Sequence, residues 1–248
     1  MRWILSLVLA LVAGIGTLYG LTDGFTVLTA EAARRQAVAA QPQPVPAAHV
    51  LDSAGGVDLL TRNLRDDGRV AIVNFFYTRC VALCLAQGSL TERLQQAIEA
   101  EGLQHRIRLI SISFDPRDQA RDLARYAVRM GADTTVWQFL SFTQPAQRDA
   151  VLDLFGIMVV PAPLGEFEHN AAFHIVTPDG RLARIVDLDD PGWALNAAKS
   201  FMTSASGTVE PKAAVRGGSV EPDGSRPAPA AADTRSAGTQ PAPTGRQP

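Results

Sequence analysis

Cys80 and Cys84, four positions apart, are the only cysteines among 248 residues. On a first helical turn that spacing puts both side chains on one face, with Cβ atoms roughly 5 to 6 Å apart, which suits either a disulfide after small adjustment or two thiolates on one metal ion. Amides at a helix start also favour the thiolate, lowering the cysteine pKa from about 8.5 and making the sulfur a nucleophile and a soft metal ligand. The plain alternatives are two buried small residues or a structural disulfide. Two thiolates can hold Cu(I), and an imidazole would complete a trigonal site. Four histidines are available for that role. His49 ends a proline-rich stretch, His105 lies in a polar turn, His169 stands in the loop Gly165-Glu166-Phe167-Glu168-His169-Asn170, and His174 falls within a strand pattern.

The pair must be positioned by what flanks it. Residues 70–77, Val-Ala-Ile-Val-Asn-Phe-Phe-Tyr, are β-branched and aromatic and predict a fully buried strand of the parallel-sheet type. From about residue 82 to 100 the spacing turns helical, with Leu83, Leu90, Leu94, Ala97 and Ile98 on one side and Gln87, Glu92, Arg93, Gln95 and Glu99 on the other. Both cysteines therefore sit at a strand-to-helix turn. A second strand at 107–114 closes on Asp115-Pro116, a helix follows over 118–130 to Gly131, then a short strand at 136–142 and a helix at 145–155. Residues 173–176 and 182–187 form a hairpin around Thr177-Pro178-Asp179-Gly180, and a last helix follows Pro191-Gly192. This order predicts an α/β fold of thioredoxin-like type: a central mixed β-sheet, helices on both faces, a terminal β-hairpin, and a dithiol at the first βα junction.

The ends read differently from the middle. Residues 3–21 carry no charge and, as a helix at about 1.5 Å per residue, match a hydrocarbon core of about 30 Å. Residues 1–22 are therefore expected to form an N-terminal membrane anchor, with a signal peptide cleaved near Ala30-Glu31-Ala32 as the competing reading. Residues 23–48 read as an extended, proline-stiffened tether, 49–203 as the globular domain, and 204–248, rich in Ala, Pro, Gly and Ser, as a disordered tail. The net charge is −2, and no Lys/Arg cluster is interleaved with aromatics, so there is no electrostatic footprint for nucleic acid. An exported location would oxidise neighbouring thiols, so a working pair there needs a reductant or a metal.

Asn74-Phe75-Phe76-Tyr77-Thr78-Arg79-Cys80 with Cys84, then Ile112-Ser113-Phe114-Asp115-Pro116 with Asp118, Leu123 and Tyr126-Ala127, then His169 nine residues ahead of Pro178-Asp179-Gly180, resemble the Sco/SenC family. The resemblance runs over about residues 48–202 and extends to the N-terminal anchor. It implies a thioredoxin-like domain tethered to the inner membrane and facing the periplasm. It further implies copper, as Cu(I), Cu(II) or both, held by Cys80, Cys84 and His169 and delivered to the copper-bearing subunit of cytochrome c oxidase or another exported cuproprotein. Such a protein is a carrier, not a turnover enzyme. The alternative is a thiol-disulfide reductase working through Cys80 and Cys84, in which His169 is dispensable. Asp115 matches an acidic position near the metal loop, or else caps a helix. The chain departs from the family pattern where Val81 and Leu85 replace the usual prolines after each cysteine.

Overall fold

The computed structural model describes residues 2–21, 30–80 and 83–202, leaving out the side chains of Leu18, Leu21, Leu83, Cys84 and Leu85. The expected disordered tail, residues 204–248, lies outside the described residues. Along the chain run α1 (Arg2–Leu21), α2 (Ala30–Ala40), β1 (Gln43–Pro44), β2 (His49–Asp52), β3 (Val57–Leu59), α3 (Leu60–Asn63), β4 (Val70–Phe76) and α4 (Leu83–Ala100). Then come β5 (Ile107–Ser113), α5 (Ala120–Arg129), β6 (Trp137–Phe142), α6 (Pro145–Phe155), β7 (Val159–Pro161), β8 (Phe167–His169), β9 (Ala172–Val176), β10 (Arg181–Asp187) and α7 (Pro191–Met202).

Every residue of β4 and of β5 is buried, as required of strands covered on both faces. They pair in parallel from Val70↔Ile107 to Phe76↔Ser113, and β6 continues the parallel run beside β5. On the other side of β4, β9 pairs antiparallel and begins the terminal hairpin with β10. The complete eight-stranded order is β1-β10-β9-β4-β5-β6-β2-β3, and β7 and β8 form a separate two-stranded ribbon. This is the expected mixed α/β sheet of thioredoxin-like type. The parallel centre brings the loop after β4 beside the loop after β5.

Two expectations need correction. Gln87 and Gln95 were placed on the polar side of α4 by spacing, yet both are buried. Gln87 donates to Phe75 O at 3.1 Å, while Gln95 donates to Gly131 O at 3.3 Å and accepts from the Asp133 amide at 2.8 Å. An amide side chain offers both donor and acceptor, so it can satisfy buried backbone groups that an apolar residue would strand.

The second correction concerns the tether. Residues 30–40 are helical, with Val38 buried, and β1 joins the sheet edge against β10 while Val45 and Ala48 enter the core. Alanine-rich composition favours a helix, and Glu31 pairs with Arg35 at i,i+4 (2.9 Å). Docking then fixes the helix: Arg34 donates to Leu154 O (3.2 Å) and Phe155 O at the C-terminus of α6, and Arg35 meets Asp187 at 2.7 Å. Gly156 ends α6 in a left-handed conformation (φ 67°) that favours glycine, and a Cβ there would lie 2.1 Å from the Arg34 guanidinium, which would have to shift from its place at the end of α6.

Helix α1 leaves Trp3, Ile4, Leu7 and Leu9 largely exposed. Among the described residues, no helix is long and apolar enough to cross a membrane.

Candidate metal centre

Strand β4 ends in a turn in which the Cys80 amide donates to Tyr77 O at 3.3 Å. Asp118 fixes this turn from β5's side, accepting from the Thr78 amide (2.8 Å), the Thr78 hydroxyl (2.6 Å) and the Ser113 hydroxyl (2.6 Å). Cys80 is buried. Cys84 lies in the first turn of α4, as the spacing predicts, and its side chain is outside the described residues, as are Val81 and the Leu85 side chain where the family prolines are missing.

Asp115 supports the turn from beneath. Its side chain is fully buried, yet it pairs with Arg79 and, in a two-point fork, with Arg117 (2.9 Å for Nε to Oδ1 and 2.9 Å for Nη2 to Oδ2). Burial works to raise its pKa, but the bonds from Arg117 and Arg79 outweigh that and hold the carboxyl below the usual carboxylate range. It is no helix cap: α5 begins at a capping box of Gln119 and Asp122.

His169, read from sequence as a loop residue, ends the short strand β8, paired with Val159 of β7. Its ring lies edge-on to Phe114 (centroids 5.0 Å apart, 68°) and to Tyr77 (6.1 Å, 73°). Its Nδ1 is 2.9 Å from Asn170 O; a carbonyl only accepts, so Nδ1 carries the proton. Burial lowers the ring's pKa. A neutral imidazole with Nδ1 protonated keeps its lone pair on Nε2, the arrangement by which a metal-ligating histidine is usually oriented. Asn170 is itself anchored, donating to Gly156 O and accepting from the Met158 amide, both at 2.8 Å.

Tyr77 joins the two parts. Its hydroxyl donates to Glu166 Oε2 (2.5 Å) and accepts from the Phe167 amide (3.2 Å), while Cys80 is close enough to hydrogen-bond to it. Burial, then the Glu166 bond, push the phenol far above its ordinary pKa, so it stays protonated. The sequence-predicted Cys80 and His169 are thus both in contact with Tyr77, a residue singled out only as part of a motif. A tyrosine closing a buried strand does carry a signal, because its hydroxyl must find a partner.

The other histidines are elsewhere. His174, expected to be a strand residue, is buried on β9 between Val73 O (3.3 Å from Nδ1) and Phe155 O (3.1 Å from Nε2). Burial first, then Arg34, lower its pKa to about 4. His49 rests against Gln147, and His105 is exposed. Among the described residues, no three His, Cys, Asp or Glu side chains come together as a metal site.

The sheet order and the dithiol turn at the first βα junction define a thioredoxin-like protein. The SCO1/SenC family profile matches residues 51–201, and the chain belongs to that family. The SCO1 protein homolog of Bacillus subtilis (strain 168) is 29% identical over 121 residues, which are 47% of this chain and 61% of that protein, so the chain spans less than two thirds of its relative's length. Among solved structures, BsSco, described with a disulfide switch and as a member of the Sco family of cytochrome c oxidase assembly proteins, superposes with a TM-score of 0.56 at 24% identity, over 66% of this chain and 95% of that one. ScoI of Bradyrhizobium japonicum with copper bound gives 0.53 at 21%, over 64% and 99%. At these identities the structures establish the fold.

Proposed function

We propose that the protein is a copper carrier: it holds one copper ion on Cys80, Cys84 and His169 and hands it by ligand exchange to an exported copper protein, with the copper-bearing subunit of cytochrome c oxidase as acceptor. The observation that carries this reading is the placement of His169, whose Nδ1 is held 2.9 Å from Asn170 O and whose ring lies edge-on to Tyr77, the residue that Cys80 also touches. Two thiolates favour Cu(I), and a nitrogen ligand extends the site to Cu(II). The copper-bound relative and the family's association with oxidase assembly support the cargo and the acceptor. The exposed apolar residues of α1 support attachment to the inner membrane, with the domain facing the periplasm.

The test is copper titration of the reduced full chain in detergent. His169→Ala retains part of the Cu(I) affinity and loses Cu(II) binding, whereas Cys80→Ser or Cys84→Ser loses both. Thiol-disulfide exchange needs both sulfurs and no imidazole. A His169→Ala protein that bound both copper states like the parent, and reduced a disulfide substrate with undiminished rate, would make the protein a reductase instead.

A further inference from the structure

Beside the Cys80 turn lies a cleft of about 490 Å³ whose walls include Arg79, Arg117, Arg125 and Arg129, together with Thr78 and Tyr126. Its two acidic residues, Asp118 and Asp122, do not balance those guanidinium groups at the surface. Asp118 is buried and spends its carboxylate on Thr78 and Ser113. Asp122 serves the α5 capping box and is shared between Arg125 (2.6 Å) and Arg121 (4.0 Å). Asp115, the counter-ion of Arg79 and Arg117, has no exposure, while those two arginine side chains are 46% and 45% exposed. Glu166, the remaining carboxylate that Arg117 senses, is taken by the Tyr77 hydroxyl. The acids are turned inward and the cations face out. This happens on a chain whose net charge is −2, so the patch is a local arrangement and not a reflection of overall charge.

The arginines are also held in place. Arg129 lies over the Tyr126 ring (4.6 Å) and donates to Thr78 O, and Arg117 lies over the Phe167 ring (5.4 Å), two residues from His169. Preset guanidinium groups lose little freedom on binding and match carboxylates in a two-point fork. From this we infer that the cleft is a docking site for an acidic segment of the protein that exchanges copper with this one, aligning that partner's ligands over the Cys80 turn. The inference rests on the copper-carrier reading for the partner's identity. The cleft is concave and shares Thr78 and Arg79 with the turn that carries Cys80, which suits a protruding acidic segment, whereas the headgroups of a bilayer present a flat plane.

The experiment uses the full chain in detergent and a short fluorescein-labelled Asp-Ser repeat peptide as the probe. Fluorescence anisotropy is followed from low to physiological ionic strength. Binding is expected, weakening steeply with salt because exposed charges are screened over about 8 to 10 Å. Arg125→Glu/Arg129→Glu should weaken it by about tenfold or more, and the milder Arg125→Gln/Arg129→Gln should fall between that variant and the parent. Arg62→Glu/Arg65→Glu, on exposed arginines of and after α3, should leave it unchanged. No peptide binding, equal loss in the α3 variant, or equal loss of binding to phosphatidylglycerol vesicles in the α5 variants would overturn the inference, the last in favour of a lipid surface. Copper stoichiometry of the same variants is read in parallel. Its retention alongside failed docking overturns only the docking site, and its absence in the parent overturns the carrier reading.

Discussion

The Tyr77 hydroxyl donates to Glu166 Oε2 at 2.5 Å and thereby fastens the end of β4 to the segment that enters β8, with His169 three residues further on. Tyr77→Phe keeps the ring that packs on His169 and removes the fastening, leaving the Phe167 amide without its hydroxyl acceptor. The expected cost is about 1 to 3 kcal/mol in urea unfolding. Cu(II) affinity should fall several-fold with the thiol count unchanged; an unaltered Cu(II) affinity would show that Tyr77 does not set the position of His169.

Asp115 is the single buried carboxylate under two arginines, and Asp115→Asn leaves both guanidinium groups without their anion. Removing one partner of a fully buried pair costs about 3 to 5 kcal/mol. Here both arginines are nearly half exposed and water can reclaim them, so about 1 to 3 kcal/mol is expected from chemical denaturation. A loss below the error of the measurement would mean that the pair holds nothing together.

His174 makes stability depend on pH. Its folded pKa is about 4, against 6.5 in the unfolded chain, so between those values the unfolded state binds the proton and the folded state does not. Stability is fully present above about pH 6.5, falls as the pH is lowered, and levels off for this group below about pH 4, a total of roughly 3 kcal/mol. Facing charges on α2 are Arg34, which adds to the lowering, and Glu31, which opposes it. The difference between the parent and His174→Gln stability profiles isolates this residue from the carboxylates. Parallel profiles over that window would refute the assignment.

Residues 30–45 belong to the folded unit, so a soluble protein beginning at residue 30 should be more stable than one beginning at residue 46. The shorter protein loses the burial of Val38 and Val45 and the two Arg34 bonds to the end of α6, worth about 2 kcal/mol or more. Coincident denaturation curves for the two proteins would return residues 30–45 to the role of a passive tether.

The strands around the dithiol were legible because β4 and β5 are buried on both faces and so are written as unbroken apolar runs. His169 was legible only as a resemblance. The ribbon of β7 and β8 that carries it is three residues per strand, too short for any period to show, and depends on Tyr77 and Asn170 for its position. Gln87, Gln95 and Arg34 were misplaced for a shared reason. Each is polar by composition but is drawn inward by a backbone group at the end of another element, and that demand is written in the partner's sequence, not in its own.

The docking of α2 also sets a working radius. With 23–48 extended, a domain hung from α1 could range on the order of 80 to 90 Å from its attachment point. With α2 fastened to α6 and β10, eight residues separate the two helices, and even drawn out straight they reach only about 30 Å. With α1 attached at a membrane as proposed, the proposed copper site works on a short leash, and the proposed acceptor has to live in the same membrane or come to its surface to be served.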